Sequence, residues 1–186
     1  MFEDKIKWDK KYKNLVDIPT LPSDIVKNYY NLAKKSKALD IACGNGRNSK
    51  FLANKGFIVD AIDISSEALK YLKNTKNINP IEADLDNFDF KKNCYDLIIC
   101  VNYLNRNLFY KIDEALKKDG ILIYETFVYD KNLKNSMKRE YLLNSNELLH
   151  NFIKYEIIYY EEKDILTHKN EKAKKANLVC KKISCR

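Results

Sequence analysis

Short apolar segments alternate with segments of helical periodicity through the middle of the chain, and this alternation limits the folds available to it. Buried strands are predicted by five apolar runs, at residues 38–43, 57–62, 79–83, 95–101 and 121–127. Helical segments separate most of these runs, and parallel strands need crossovers of about that length. We therefore expect a doubly wound α/β domain with a mostly parallel sheet.

The amino-terminal part precedes this alternation and has a helical pattern. Apolar residues recur at helical spacing in residues 2–12, and Pro19 and Pro22 then favour an extended loop. The Ser23 hydroxyl is suited to cap a second helix. Residues 1–35 are thus expected to form two helices ahead of the sheet.

The carboxyl-terminal part, residues 128–186, lacks the alternation. Asn144 is suited to cap a helix that continues through Phe152, and residues 155–160 and 176–183 have the composition of two strands. We expect these strands to form an antiparallel hairpin that completes a seven-stranded sheet. The whole chain, residues 1–186, is then a single domain whose central part spans residues 36–127.

Composition excludes several classes of protein. No apolar run reaches the roughly 18 residues that a membrane-spanning helix requires, and the first residues mix charges instead of forming a signal-peptide core. A cytoplasmic location is expected. The five cysteines are scattered without a CxxC pair, so we predict neither a disulfide nor a metal site. They are Cys43, Cys94, Cys100, Cys180 and Cys185.

The net charge of +8 leaves two classes of partner open. Most lysines are interleaved with acidic residues, which is typical of a solvated surface and of a protein that binds a small molecule. A cluster near the carboxyl terminus would instead suit a nucleic acid. Its members are Lys172, Lys174, Lys175, Lys181 and Lys182.

A glycine-containing turn, Gly44-Asn45-Gly46, follows the first predicted strand directly. Glycines there let a ligand approach the backbone, and the next helix begins with free N–H groups. A dinucleotide site favours glycine or alanine three residues after the second glycine, where this chain has Ser49. A phosphate-binding loop requires lysine after the last glycine, where this chain has Arg47. Both NAD and ATP are therefore disfavoured.

Carboxylates stand at the ends of the first three predicted strands. Asp40 lies four residues before Gly44, and a buried carboxylate there needs a cationic partner such as an amino-acid ammonium group. Asp63 is 19 residues after Gly44, near the spacing at which an acid meets ribose hydroxyls. Asp84 is placed to accept a hydrogen bond from an exocyclic adenine amine. S-adenosylmethionine carries all three groups.

The run from Leu39 to Ser49 resembles the first motif of class I S-adenosylmethionine-dependent methyltransferases, and its Gly-Asn-Gly-Arg-Asn-Ser ending is similar to the tellurite-resistance-type branch. The resemblance covers roughly residues 36–127. It implies a Rossmann-like fold, S-adenosylmethionine as the cofactor and methyl transfer as the activity. One departure is Ala42, which stands where many members have glycine.

The resemblance also implies which residues hold the cofactor. Asp40 and the glycine turn would hold the methionine part, Asp63 and Ile64 the ribose and adenine, and residues 83–85 the adenine edge. Asn102 would line the methyl-donor pocket. The full predicted set is Asp40, Ala42, Gly44, Gly46, Arg47, Asn48, Asp63, Ile64, Ala83, Asp84, Leu85, Asn102 and Tyr103. Trp8 and Tyr12 are similar to a flap helix that closes over the cofactor.

Methyl transfer from a sulfonium is an in-line displacement, so the protein supplies alignment and, for some acceptors, a base. No metal is required. Arg47 and Arg106 are candidates to bind an anionic acceptor, and Glu125 is a candidate base at a strand end. Each also has a structural alternative, as a packing arginine or as a carboxylate that binds a neighbouring loop.

Four functions remain open from the sequence, of which a nicotinamide-dependent dehydrogenase ranks last. A small-molecule methyltransferase fits a short chain without a separate recognition domain, whereas the basic residues near the carboxyl terminus fit an RNA or protein methyltransferase. A non-catalytic S-adenosylmethionine-binding protein would keep the same fold. The methyl acceptor and the oligomeric state are not determined by the sequence.

Overall fold

The computed structural model describes residues 2–14, 18–133, 137–167 and 170–183. The strands are β1 (Lys37–Ile41), β2 (Ile58–Asp63), β3 (Ile78–Glu82), β4 (Tyr95–Val101), β5 (Leu116–Val128), β6 (Glu156–Leu166) and β7 (Lys172–Lys181). These seven strands form one sheet with the order β3-β2-β1-β4-β5-β7-β6. The first five strands pair in parallel, and β7 pairs antiparallel with both β5 and β6. The predicted fold class, including the terminal hairpin, is confirmed.

Helices cover the sheet and connect its parallel strands, except β3 and β4, which are joined by a segment without a helix. They are α1 (Phe2–Lys13), α2 (Asp24–Tyr29), α3 (Arg47–Asn54), α4 (Ser66–Leu69), α5 (Leu108–Ala115) and α6 (Glu147–Asn151). Short 3-10 helices extend α2 and α4 by one turn each, and a third spans Arg139–Tyr141. Among the described residues, no helix is long and apolar enough to cross a membrane.

The central strand β4 is buried along its whole length, because helices cover both faces of a doubly wound sheet. Its alternate residues therefore belong to two different cores. Ile98 and Cys100 pack in the core on one side of the sheet, and Leu97 and Ile99 pack in the core on the other. This double burial explains the unbroken apolar run in the sequence.

The strand order reverses between β1 and β4, since the chain moves outward through β2 and β3 before it returns. Loops on the two sides of this point diverge and leave a crevice at the carboxyl ends of the strands. Ala42 and Arg47, which precede and follow the glycine turn, flank the crevice together with the loop after β4, whereas Gly44 and Gly46 are not part of its wall.

Two predicted caps are wrong. Ser23 is the N-cap residue of α2, but its side chain makes no capping bond and its Oγ instead accepts a hydrogen bond from Arg47. Asn144 does not begin the later helix, which follows Asn146. The Asn144 backbone N–H and side-chain amide both donate to the Glu147 carboxylate. Arg47, which is distant in the sequence, binds the Ser23 hydroxyl, whereas Asn144 donates to Glu147 three residues later and does not cap the helix.

Three strand predictions were too short. The strand predicted at 121–127 begins at Leu116, which pairs with Tyr95 before a register shift. The hairpin strands extend through charged residues up to Leu166 and from Lys172 onward. The sequence pattern missed these extensions because β6 is an edge strand, where polar side chains face solvent while the backbone still pairs.

The burial of β4 on both faces predicts that two isoleucine-to-alanine substitutions will differ strongly in their effect on stability. Ile99→Ala should lower the free energy of unfolding by about 2–5 kcal/mol, because it leaves a cavity at a fully buried site. Ile58→Ala, on the 53% exposed start of β2, should lower it by about 0.5 kcal/mol or less. Urea denaturation of both variants measures the difference, and equal losses would contradict the assigned burial.

Candidate active site

The crevice at the carboxyl ends of the strands has a volume of about 1480 Å³. Its walls are the ends of β2, β4 and β5, the start of α3, the segment 19–29, helix α1 and the hairpin β6–β7. A volume of this size exceeds that of a usual single-ligand pocket. It therefore has room for a cofactor and an acceptor molecule together.

The turn after β1 has a left-handed backbone at three positions: Ala42 (φ 53°), Gly44 (φ 57°) and Gly46 (φ 70°). A Cβ on Gly46 would lie 2.1 Å from the Leu72 side chain, and one on Gly44 would lie 2.2 Å from the Tyr12 phenol oxygen. Both glycines are thus required by backbone geometry and by close protein contacts. The left-handed φ of Ala42 explains why glycine suits that position in the family it resembles.

Asp63 ends β2 and is 7% exposed at the crevice wall. Its Oδ2 accepts a hydrogen bond from the Gly44 backbone N–H at 2.7 Å, and its Oδ1 accepts one from the Ser65 N–H at 2.9 Å. Burial raises the pKa of this carboxyl, while these two backbone bonds oppose that shift. Each carboxylate oxygen has a second lone pair, so Asp63 can also accept hydrogen bonds from a ligand.

Asp40 lies behind the glycine turn and does not line the crevice. It is 1% exposed, and its Oδ2 accepts a hydrogen bond from the Ser49 hydroxyl at 2.6 Å. Burial raises the pKa of Asp40 to about 7, and the bond from Ser49 acts against this rise. Its predicted contact with a ligand amino group therefore stays a prediction.

The loops after β3 and β4 face each other across the crevice. Asp84 and Leu85 line one side and Asn102 and Tyr103 the other, whereas Ala83 packs against a core and is not part of the wall. The Asp84 carboxylate accepts hydrogen bonds from the backbone N–H of Asp86 and the side-chain amide of Asn87, both at 3.1 Å. Asp84 therefore has the local turn role as well as a position on the crevice wall.

The start of α3 holds the segment that precedes β1. Arg47 lines the crevice, and its guanidinium donates to the Leu21 carbonyl at 2.6 Å and to the Ser23 hydroxyl at 3.0 Å. Asn48 is buried, and its Oδ1 accepts a hydrogen bond from the Ser23 N–H at 2.9 Å. Asn48 is not part of the wall. Ile64, from the end of β2, completes this side of the crevice.

Helix α1 lies over the glycine turn. The Asp9 carboxylate accepts hydrogen bonds from the Ser65 hydroxyl at 2.6 Å and the Glu67 N–H at 3.2 Å, at the start of α4. Trp8 lines the crevice, and the Tyr12 phenol covers Gly44 as described above. Sequence reasoning placed Trp8 and Tyr12 in a flap but missed Asp9, since its partners are more than fifty residues away.

The two candidate catalytic side chains have different surroundings. The Arg106 guanidinium binds both oxygens of Glu147, at 2.6 and 3.0 Å, and two backbone carbonyls, those of Glu140 and Leu142. The Glu125 carboxylate accepts a hydrogen bond from the Lys175 ammonium at 2.6 Å, and both residues line the crevice. Arg106 thus anchors the segment before α6, while Glu125 stands in a polar part of the wall.

The lysines near the carboxyl terminus do not form a separate basic surface. Four of the five lie within 4 Å of a carboxylate: Lys174 with Asp130, Lys175 with Glu125, Lys181 with Asp119 and Lys182 with Asp113. These pairs neutralise the charge that suggested a nucleic acid. The sequence could not reveal them because each partner lies more than forty residues away.

Residues 38–120 match a protein family described as a methyltransferase domain, which is a little under half of the chain. A putative methyltransferase of Bacillus subtilis is 32% identical over 108 residues, which are 51% of this chain and 44% of that protein. The chain spans about half the length of the curated relatives that it matches first.

Solved structures with the same fold include TehB from Haemophilus influenzae, with a TM-score of 0.78, 21% identity, and coverage of 94% of this chain and 67% of that one. A second is a phosphoethanolamine N-methyltransferase of Haemonchus contortus in complex with S-adenosylhomocysteine, with a TM-score of 0.66, 14% identity, and coverage of 86% and 52%. The family match is to a methyltransferase domain, and these structures show the same fold. The tellurite-resistance-type branch stays a prediction.

The buried Asp40 carboxyl predicts a pH dependence of stability. Its folded pKa of about 7 lies above the ordinary value of 3.8, so between these values the folded state binds more protons than the unfolded state. This group should therefore make the free energy of unfolding fall as pH rises through that window, by at most about 1.4 kcal/mol per pH unit. Above pH 7 its contribution should be constant.

Urea denaturation of the wild type and of Asp40→Asn between pH 4 and 9 measures this effect. The free energy of unfolding of the wild type minus that of Asp40→Asn should decrease as pH rises towards 7 and then stay constant. Ser49→Ala removes a bond to the charged form and should extend the window to higher pH. Parallel curves for the wild type and Asp40→Asn would contradict the assigned pKa shift.

Proposed function

We propose that the chain is an S-adenosylmethionine-dependent methyltransferase that acts on a small-molecule acceptor. The observation that supports this best is the convergence of Asp63, Asp84 and Asn102, from three different loops, on one crevice at the point where the strand order reverses. A crevice in this position is the usual ligand site of a doubly wound sheet. The family match over residues 38–120 agrees with it.

The crevice fits the polar groups of the cofactor. Asp63 would accept hydrogen bonds from the ribose hydroxyls. The adenine would lie between the loop after β4 and the apolar side chains of Ile64 and Leu85. Asp84 would accept a hydrogen bond from the adenine amine. Tyr103 lies on the opposite side of the crevice and would limit its width.

Arg47 is suited to bind the carboxylate of the methionine part. Its guanidinium is at the start of α3 and lines the crevice, yet the two oxygens that it binds, on Leu21 and Ser23, are uncharged. Burial lowers its pKa, which shows that the charge is held partly away from water. The carboxylates of Asp40 and Glu125 act on this cation from a distance, and a carboxylate ligand would supply a directly bound opposite charge.

When bound, S-adenosylmethionine supplies a methyl group on a positively charged sulfur. The protein's task is to align the acceptor atom with that methyl group and to remove a proton where the acceptor is an O–H or N–H group. Glu125 is the candidate proton acceptor, because its carboxylate is on the crevice wall at the end of β5. The neighbouring Lys175 ammonium fixes the orientation of that carboxylate.

Arg106 is proposed to position the crevice and not to act on the acceptor. Its guanidinium is occupied by Glu147 and two carbonyl oxygens, which together use most of its donors. Through these bonds it fixes the segment 139–147 against the loop that follows β4. Its loss would therefore affect the shape of the site through the position of that loop.

A small-molecule acceptor is favoured over RNA because four of the five lysines near the carboxyl terminus are paired with carboxylates. Neighbours of the same fold include a phosphoethanolamine N-methyltransferase in complex with phosphomonomethylethanolamine, a small molecule. We keep the division into amino-terminal helices (1–35), cofactor-binding core (36–127) and acceptor-side helix with hairpin (128–186) as part of this proposal.

Thermal unfolding with S-adenosylhomocysteine, S-adenosylmethionine, NAD or ATP tests the proposed function. A ligand present at about 100 times its Kd should add roughly 2.7 kcal/mol to the free energy of unfolding. We expect this stabilisation with the two S-adenosyl compounds only. Asp63→Asn should weaken their binding by about tenfold to a hundredfold, because it removes bonds between a charged carboxylate and ribose.

Asp60→Asn is the matched control. Asp60 is also a buried aspartate of β2, but it binds Asn79 and Tyr95 away from the crevice. Its replacement should lower stability without changing the affinity for S-adenosylhomocysteine. Stabilisation by NAD or ATP alone, or by none of the four compounds, would refute the proposed function. Binding without methyl transfer to any nucleophile would indicate the non-catalytic alternative.

A further inference from the structure

The last strand of the sheet places an unpaired amide in the crevice wall. Asn177 of β7 is 2% exposed and lines the crevice. Among the residues that the structure describes, its Nδ2 is the one buried side-chain nitrogen or oxygen without a hydrogen-bond partner. A buried donor without a partner destabilises a folded protein. Because Asn177 lines the crevice, its position points to a ligand oxygen as the missing acceptor of this hydrogen bond.

A second donor lies close to this amide on the same face of the sheet. Lys175 is two residues earlier in β7, so its side chain leaves the strand on the same side. Its ammonium donates to Glu125 at 2.6 Å and lies 4.9 Å from the centre of the Phe127 ring. An ammonium has three N–H groups, so the bond to Glu125 leaves donors for a ligand.

Strand register brings the donors and the candidate base together. In the antiparallel pair of β5 and β7, Glu125 is directly opposite Asn177 and Phe127 is directly opposite Lys175. Directly opposed residues on one face have Cβ atoms about 5 Å apart. The four side chains therefore form one compact patch, with a carboxylate and two donors beside an aromatic ring.

We propose that Asn177 and Lys175 form the acceptor-binding subsite, and that the acceptor carries a carboxylate whose oxygens accept hydrogen bonds from Asn177 Nδ2 and Lys175 Nζ. This inference rests on the proposed function and names the class of acceptor for it. The apolar part of the acceptor lies against Phe127, and its methyl-accepting atom lies towards Glu125.

The charges in the patch select a singly charged group. Lys175 is already paired with Glu125, so the patch by itself is neutral and offers directed donors without a surplus of cations. A phosphate with nearly two negative charges would meet the Glu125 carboxylate without enough positive charge to offset it. A carboxylate carries one charge and presents two oxygens to the two donors.

Titration of the wild-type protein with acetate tests the proposal by nuclear magnetic resonance. The full chain, labelled with ¹⁵N and saturated with S-adenosylhomocysteine, is observed through the side-chain amide signals of Asn177, which are assigned by their loss in Asn177→Leu. We expect acetate to shift these signals along a saturable curve. Sodium chloride at the same ionic strength should not do so.

Two variants and one control locate the site. Lys175→Met and Asn177→Leu should each weaken acetate binding by about tenfold, since each removes one hydrogen bond to a charged oxygen. Asn177→Leu should also leave thermal stability unchanged or raised, because it removes an unpaired buried donor. The control is Asn151→Leu on α6, whose amide is already paired with the Glu147 carbonyl; it should bind acetate as the wild type does.

Several results would overturn the proposal. They are the absence of a saturable response to acetate, an equal response to chloride, and a saturable response to acetamide or inorganic phosphate in place of acetate. Calorimetry with S-adenosylhomocysteine on the same sample separates the two levels of inference. Absent binding would refute the proposed function itself, whereas normal binding without an acetate response would refute the acceptor subsite alone. Asn177→Ser provides the same signal assignment if Asn177→Leu fails to fold, so the wild-type titration still decides the question.

Discussion

The structure around the crevice depends on one buried carboxylate, that of Asp63. Its two oxygens accept hydrogen bonds from the backbone of Gly44 and of Ser65, so one side chain fixes the turn after β1 against the turn after β2. Bonds between a carboxylate and backbone N–H groups are stronger than neutral ones, and burial limits competition from water. The ends of two neighbouring strands therefore hold one relative position, and the crevice has a stable wall without a bound ligand.

Other elements are attached to this junction in turn. Ser65, whose N–H donates one of these bonds, also donates its hydroxyl to Asp9 of α1 and so connects the amino-terminal helix to the start of α4. Tyr12 of the same helix then lies on Gly44, where only a glycine leaves room for the phenol. Helix α1 and the turn after β1 are therefore held by neighbouring hydrogen bonds. A ligand that reaches this turn must fit against both elements.

The opposite wall is formed by a part of the chain with a different construction. The hairpin inserts β7 between β5 and β6, and this antiparallel addition brings Lys175 and Asn177 to the end of β5. The proposed cofactor side of the crevice is thus built from parallel strands and their turns, and the proposed acceptor side from a hairpin. Such a division would let the acceptor side change while the turns of the proposed cofactor side stay fixed.

The sequence by itself determined the layered fold and most of the cofactor side of the crevice. Alternating apolar runs and helical segments predict the parallel sheet, because burial on both faces requires continuous apolar strands such as β4. The glycine turn and the carboxylates after it were visible as well, since each follows its strand directly in the chain. Asp63, Asp84 and Asn102 do lie on the crevice wall, whereas Asp40 and Asn48 are turned into the protein behind it.

Only the tertiary structure decided which polar side chains were already engaged and which faced the crevice. The sequence made Arg106 a catalytic candidate, but in the structure its guanidinium binds the carboxylate of Glu147, forty-one residues away. The sequence pattern placed Asn177 in a strand and indicated no function for it. In the structure it lines the crevice, and its Nδ2 has no hydrogen-bond partner. Spacing along the chain predicts which elements form, because hydrogen bonds and burial within an element are local. The partner of a polar side chain is set by contacts between distant segments, and no local pattern contains that information.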